Sequence, residues 1–143
     1  MVFKEIAFGT DDYRLECALR EEVLRKPLGL SLRSDELSRE KDQLHFGLFE
    51  PPAGLIACAI VVKLSPIEAK IRQMAVSPAH QRKGLGRKIL SEVEKNLRAR
   101  GFTKLELDAR SSAVGFYEKL GYRVVGDEFM EVTVPHFRMV KAV

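Results

Sequence analysis

Ile67-Glu68-Ala69-Lys70-Ile71-Arg72-Gln73-Met74-Ala75-Val76, then Ser77-Pro78-Ala79-His80, then Gln81-Arg82-Lys83-Gly84-Leu85-Gly86-Arg87: this stretch carries a strand, a turn and the start of a helix. Ile67, Ala69 and Ile71 alternate with Glu68, Lys70 and Arg72, the period of two expected of a strand with one buried face. The next apolar residues, Met74 and Val76, are out of phase by one. One extra residue near Gln73, a β-bulge, would return both apolar sets to the same face. A strand buried on both faces at that point is the other reading. From Gly84 to Arg100, Leu85, Ile89, Val93 and Leu97 stand four apart with Leu90 beside them, which predicts an amphipathic helix stopped by Gly101. Thr103 to Ala109 alternates again through Leu105 and Leu107, so strand, helix and strand form one crossover unit.

On the N-terminal side, Val2 to Phe8 reads as a short strand. Thr10 or Asp11 caps a helix whose Leu15, Leu19 and Val23 form a buried stripe, and Pro27 and Gly29 end it. After a polar stretch from Ser34 to Asp42, His45 to Glu50 and Leu55 to Leu64 flank Pro51-Pro52-Ala53-Gly54, the pattern of a hairpin. On the C-terminal side a short helix runs from about Ser112 to Leu120 with Gly121 as its stop, and Tyr122 to Val125 and Val132 to Val140 supply closing strands. The expected fold is mixed α/β (α+β): a mostly antiparallel central sheet with helices on both faces and one parallel β-α-β crossover.

The chain has 143 residues, enough for a single domain spanning 1–143 that buries roughly 70% of its unfolded surface. Hydrophobic residues at 45% and charged residues at 31% fit a soluble globular protein. No apolar run approaches the roughly 20 residues that cross a bilayer, and the start lacks a leader pattern, so the expected location is cytoplasmic. Cys17 and Cys58 match no ligand spacing and read as buried thiols; His45, His80 and His136 are scattered, so no metal is expected. A net charge of +4 suits an anionic ligand and is too small to imply nucleic acid.

The glycine-containing turn carries the chemistry. A helix N-terminus offers unpaired N–H groups and the positive end of the helix dipole, and glycine removes the Cβ that would hold a phosphate away. Arg82, Lys83, Arg87 and Lys88 add charge around it. The spacing is neither Gly-x-x-x-x-Gly-Lys-Ser/Thr nor Gly-x-Gly-x-x-Gly, so neither an NTPase nor a dinucleotide enzyme is favoured. The expected ligand is a pyrophosphate.

Gln81-Arg82-Lys83-Gly84-Leu85-Gly86 resembles the Gln/Arg-x-x-Gly-x-Gly/Ala signature of the GNAT superfamily of N-acetyltransferases. Phe116-Tyr117-Glu118-Lys119-Leu120-Gly121-Tyr122 is similar to the end of its second motif helix. The resemblance implies a central strand that splays from the strand after the long helix, with acetyl-CoA in the opening. Met74, Ala75 and Val76 would then meet the thioester and pantetheine. Gln81, Arg82, Lys83, Gly84, Leu85, Gly86 and Arg87 would hold the pyrophosphate, and Ser111, Ser112, Ala113, Phe116 and Lys119 would line the other side. Tyr117 would be the general acid; packing in the core with Val114 and Leu120 is its plainer role. Where many members carry asparagine, this chain has Arg110, which would reach the cofactor's phosphates or face solvent. Where members often place a glutamate base, it has Lys70, leaving Glu68, Asp108, Glu131 and His136. Arg25, in the acceptor wall from Arg20 to Ser34, and His136 are the acceptor-side candidates. The implied function is transfer of acetyl to a primary amine of a small molecule or peptide; a CoA-binding sensor or scaffold without turnover is the alternative. A homodimer is open, and neither nucleic acid nor a membrane is an expected partner.

Overall fold

The computed structural model describes the backbone of residues 1–143 and every side chain except those of Ser34 and Asp35. Seven strands form one sheet: β1 (Val2–Glu5), β2 (Leu44–Glu50), β3 (Gly54–Lys63), β4 (Glu68–Val76), β5 (Lys104–Arg110), β6 (Arg123–Glu131) and β7 (Val134–Ala142). Their order is β1-β2-β3-β4-β5-β7-β6. Every neighbouring pair is antiparallel except β4 and β5, which the crossover helix makes parallel.

Helix α1 (Asp11–Arg20) is capped by Thr10, whose hydroxyl oxygen accepts from the Tyr13 N–H. It runs without a break into a π-helical turn, Glu21–Arg25, and a short 3₁₀ turn, Lys26–Leu28. The polar stretch after it forms α2 (Ser34–Ser38) and a 3₁₀ turn. Helix α3 (Leu85–Ala99) buries Leu85, Ile89, Leu90, Val93 and Leu97 against one face of the sheet. Helix α4 (Val114–Lys119) follows β5 through a 3₁₀ turn at Ser111–Ala113 and packs on the same core. The other face carries α1, with Leu19 against Cys58 and Ala75. Helices on both faces explain why β2 and β3 are buried along most of their length. No helix among the described residues is long and apolar enough to cross a membrane.

The phase slip in β4 is a bulge. From Cys58 to Ile60, β3 advances two residues while β4 goes from Ala75 to Arg72, three, and Gln73 takes φ +54°. Ala69, Ile71, Met74 and Val76 all pack on the α3 side as a result, while Ala75 packs on the α1 side.

Three boundaries differ from the sequence reading. Leu15 is exposed at 48%; the buried positions of α1 are Tyr13, Glu16, Leu19 and Arg20, because polar partners from elsewhere meet that face. The first strand ends at Glu5: the Ile6 N–H makes a last bond to the His45 carbonyl at 2.7 Å, and Gly9 then turns at φ +78°. The last hairpin turns at Val132 and Thr133, so β6 extends to Glu131 and β7 starts at Val134.

Candidate active site

β4 and β5 pair only between Glu68–Ile71 and Lys104–Leu107. Beyond that, β4 stays with β3 as far as Val76 opposite Ala57, and β5 stays with β7 as far as Arg110 opposite His136. The sheet therefore opens into a V between residues 72–76 and 108–110, whose facing edges have no ladder partner across the gap. The bulge at Gln73 bends β4 away at the point where the V begins.

Tyr117 stands beside the opening. Its ring packs edge-on against Phe116 and Tyr122, with centroids 5.0 and 6.0 Å away. The ring is thus part of the core, as the plainer reading expected, yet the residue also lines a cavity of ≈ 260 Å³ with Gln73, Met74 and Ala113. Its hydroxyl has no hydrogen-bond partner among the described residues. Burial pushes the phenol up to about 12, so it stays protonated and able to donate.

At the other end of the V, the basic turn forms a second cavity of ≈ 280 Å³ that brings together Val76, Gln81, Arg82 and Phe116 with the Gly84–Arg87 backbone. Gly84 caps α3 at φ +75°, and a Cβ there would project into open space. The first bond within the helix runs from the Lys88 N–H to the Gly84 carbonyl at 3.0 Å, leaving the amides of Leu85, Gly86 and Arg87 ahead of it. Among the described residues no ion pair holds Arg82, Lys83, Arg87 or Lys88. Four unpaired cations around three free amides fit a pyrophosphate. Gly86 sets the width of the cleft, since a Cβ on it would lie 3.4 Å from the Phe116 ring and 3.9 Å from Met74 and Val76. Gln81 donates to the Val76 carbonyl at 3.2 Å, tying the turn to the end of β4. Lys83 is exposed beside this cavity. Ser111 donates to Glu128 at 3.0 Å, Ser112 is exposed, and Lys119 lies with Arg87 and Glu94 in a shallow hollow; these three line neither cavity.

The cavity beside Tyr117 also gathers the residues expected on the acceptor side, from the π-helical turn, β5 and β7. His136 is 5% exposed and stacks on Phe129. Its Nδ1 lies 2.9 Å from the Val134 carbonyl, which can only accept, so Nδ1 carries a hydrogen and in the neutral ring the lone pair is on Nε2. Asp108 lines the cavity too. Burial would raise its pKa, but Arg138 at 2.9 Å and Lys70 at 2.8 Å hold it below the usual carboxylate range and make it a weak base. Glu131 is at the rim; Glu68 lies at the far end of β4, opposite Lys104 and outside the cavity. Arg25 is buried between Glu36 (3.2 Å) and the Leu24 carbonyl (3.4 Å). Arg110 is half-buried and does not line the basic-turn cavity: it lines this one and donates to the Leu24 carbonyl at 3.2 Å. The π-helical turn makes this wall, because its wider winding presents Val23, Leu24 and Arg25 to the opening.

Sequence reasoning missed the support behind the bulge. Arg20, fully buried, donates to Glu16 at 2.8 Å and to both carboxylate oxygens of Glu40 at 2.8 and 2.6 Å. Its Nε donates to the Gln73 side chain at 3.3 Å. His45 sits between the Glu16 carboxylate at 3.0 Å and the Glu40 carbonyl at 2.8 Å. Two acceptors require a proton on both ring nitrogens, so an imidazolium balances Arg20, Glu16 and Glu40. Glu16, Glu40 and His45 lie close enough to ligate an ion, but the Arg20 guanidinium fills that space. The Glu16–Arg20 spacing of four was the available signal, and it reads the same on a solvated helix face.

The family model of the acetyltransferase (GNAT) domain matches residues 32–143. The uncharacterized N-acetyltransferase YjcF of Bacillus subtilis is 31% identical over 126 residues, 86% of this chain and 87% of that protein. Two other curated relatives, at 36% and 35% identity, are matched over about half their length. Among solved structures, an acyl-CoA N-acyltransferase from Pseudomonas aeruginosa shares the fold with a TM-score of 0.83 at 19% identity, over 99% of both chains. A GNAT family acetyltransferase from Elizabethkingia anophelis with acetyl-CoA bound has a TM-score of 0.75 at 15% identity, over 99% of this chain and 97% of that one. With a splayed parallel pair, a bulged central strand and a basic glycine turn opening the crossover helix, the chain belongs to the GNAT acetyltransferase family.

Proposed function

We propose that this protein is an acetyl-CoA-dependent N-acetyltransferase that moves acetyl to a primary amine of a small molecule by direct attack on the thioester. The observation that carries this reading is the V between β4 and β5, with a phosphate-suited turn at one end, an acceptor cavity at the other and the unpartnered Tyr117 hydroxyl between them. A fold neighbour of the same family holds acetyl-CoA. The free amides of α3 and Arg82, Lys83 and Arg87 would bind the pyrophosphate, and the unpaired edge of Met74 to Val76 would take the pantetheine arm. Acetyl-CoA supplies an activated acyl group whose thiol is a good leaving group.

The chain's own groups then divide the work. The substrate ammonium gives one proton to Nε2 of His136, freeing its lone pair. The nitrogen forms a bond to the thioester carbon, an amide N–H of the bulge stabilises the developing oxyanion, and the carbon–sulfur bond breaks. Tyr117 donates to the departing sulfur, which leaves as the thiol, and the amine's second proton replaces the one given up. One proton is released overall. A phenol pushed up to about 12 starts protonated, and return of the amine's second proton to it offsets the uphill transfer to sulfur. The test is thiol release from acetyl-CoA with a panel of primary amines. No amine-dependent release above the hydrolysis background, from protein that binds acetyl-CoA, would favour the non-catalytic CoA-binding alternative.

A further inference from the structure

The acceptor cavity is rich in cations. Arg25, Lys70, Arg72 and Arg110 line it against Asp108 and Glu131. Lys70 is matched by Asp108 at 2.8 Å and Arg25 by Glu36 at 3.2 Å. Arg72 has a neutral partner, Gln43 at 3.1 Å, and stands 3.7 Å from Glu40, a carboxylate already held by Arg20. Arg110 has no carboxylate within ion-pair distance among the described residues; its acceptor is the Leu24 carbonyl. Arg25 donates to that same oxygen. The two donor nitrogens therefore lie no more than 6.6 Å apart, the sum of their bonds of 3.4 and 3.2 Å. Arg25 is balanced by Glu36, so of the two guanidinium groups converging on this neutral carbonyl it is Arg110 that leaves positive charge for an anion to satisfy.

We propose that the acceptor is a small primary amine that also carries an anionic group, a carboxylate or a phosphate, bound by Arg110 with Arg72 beside it. This rests on the acetyl-transfer reading. Arginine suits the role because its planar fork meets a carboxylate or phosphate with two parallel hydrogen bonds. Burial draws the Arg72 guanidinium down from its ordinary range, so an anion alongside relieves a desolvated charge. The cavity, ≈ 260 Å³, is at the small end of ligand sites and suits a molecule of amino-acid size better than a folded protein's terminus. An anion on Arg110 holds the amine beside His136, the cross-strand neighbour of Arg110, in the cavity that Tyr117 also lines.

The experiment compares four amines of similar length: propylamine, β-alanine, phosphoethanolamine and putrescine. Each is assayed for thiol release from acetyl-CoA, and each is titrated calorimetrically into the CoA-loaded protein, so that slow turnover still leaves a binding readout. The expected result is a preference of about 10- to 100-fold in kcat/KM or affinity for β-alanine or phosphoethanolamine over the other two, the size of one or two charge-assisted hydrogen bonds. The better of the two anions identifies the group. Arg110→Gln should shrink that preference roughly tenfold or more through KM, and Arg110→Lys should recover part of it. Equal or better use of propylamine or putrescine overturns the proposal, as does a preference that Arg110→Gln leaves intact. A prior titration with acetyl-CoA separates this outcome from failure of the acetyl-transfer reading, which would show as no cofactor binding at all.

Discussion

Nε of Arg20, on the first helix, donates at 3.3 Å to the side-chain oxygen of Gln73, the residue that turns left-handed at the β4 bulge. A buried ion network thus holds the residue that opens the sheet, and fully buried charges are tied to the gap between β4 and β5. Removing one partner of a buried pair leaves the other uncompensated, at a cost of about 3–5 kcal/mol. Arg20→Met should therefore lower unfolding free energy by roughly that much in urea titrations. Gln73→Ala removes only one bond at the network's edge and should cost about 1 kcal/mol while slowing acetyl transfer. A Gln73→Ala variant with unaltered turnover would separate the network from the site.

The same network sets a pH dependence. Burial would lower the His45 pKa, but the Glu16 hydrogen bond and charge raise it above its ordinary 6.5. That contribution is complete below 6.5 and is lost as pH rises through the raised folded value. For Glu40, burial would raise the pKa, but Arg20 and Tyr13 hold it below 4.5. Its contribution is complete above 4.5 and is lost as pH falls through the depressed folded value. Thermal stability should be greatest between those two ordinary values, and His45→Gln should flatten the decline on the alkaline side only. Melting curves across pH check this; an unchanged alkaline limb in the variant would contradict it.

Val132 and Thr133, at φ +43° and +67°, form the β6–β7 turn in a conformation that β-branched residues rarely adopt. Asn and Gly are the residues this turn type favours. The double substitution Val132→Asn and Thr133→Gly should stabilise the protein by about 1–2 kcal/mol by relieving that strain. Val132 also lines the acceptor cavity, so the same variant should bind acceptor more weakly. A fall in melting temperature would show that the strain is not there.

The bulge was half legible in sequence: the apolar period slips by one, which either a bulge or a strand buried on both faces accounts for, and the β3–β4 register decides for the bulge. The long helix and the glycine turn were legible because their signals are local. The buried face of α1 was not. Glu16 and Arg20 look like a surface pair, and only Glu40 and His45, distant in sequence, convert them into a core. The Arg110 contact was not legible for a related reason: its acceptor, the Leu24 carbonyl, lies 86 residues earlier in the π-helical turn. His136 was picked out as a residue type, but its tautomer comes from the Val134 carbonyl at the hairpin.

Tyr117→Phe removes a hydroxyl that has no partner among the described residues and leaves the ring packed on Phe116 and Tyr122. Folding and acetyl-CoA affinity should therefore change little. Turnover should fall by about 10²- to 10⁴-fold, the range for a positioned acid. Near-normal turnover with chemistry rate-limiting would assign Tyr117 to packing alone.

The central claim is that the V and the basic turn hold acetyl-CoA, and calorimetric titration of the protein with acetyl-CoA tests it most directly. Saturable one-to-one binding is predicted, weakened roughly tenfold or more in Gly86→Val, whose side chain would fill the space between Phe116, Met74 and Val76. No saturable binding by the folded wild-type protein would contradict the account.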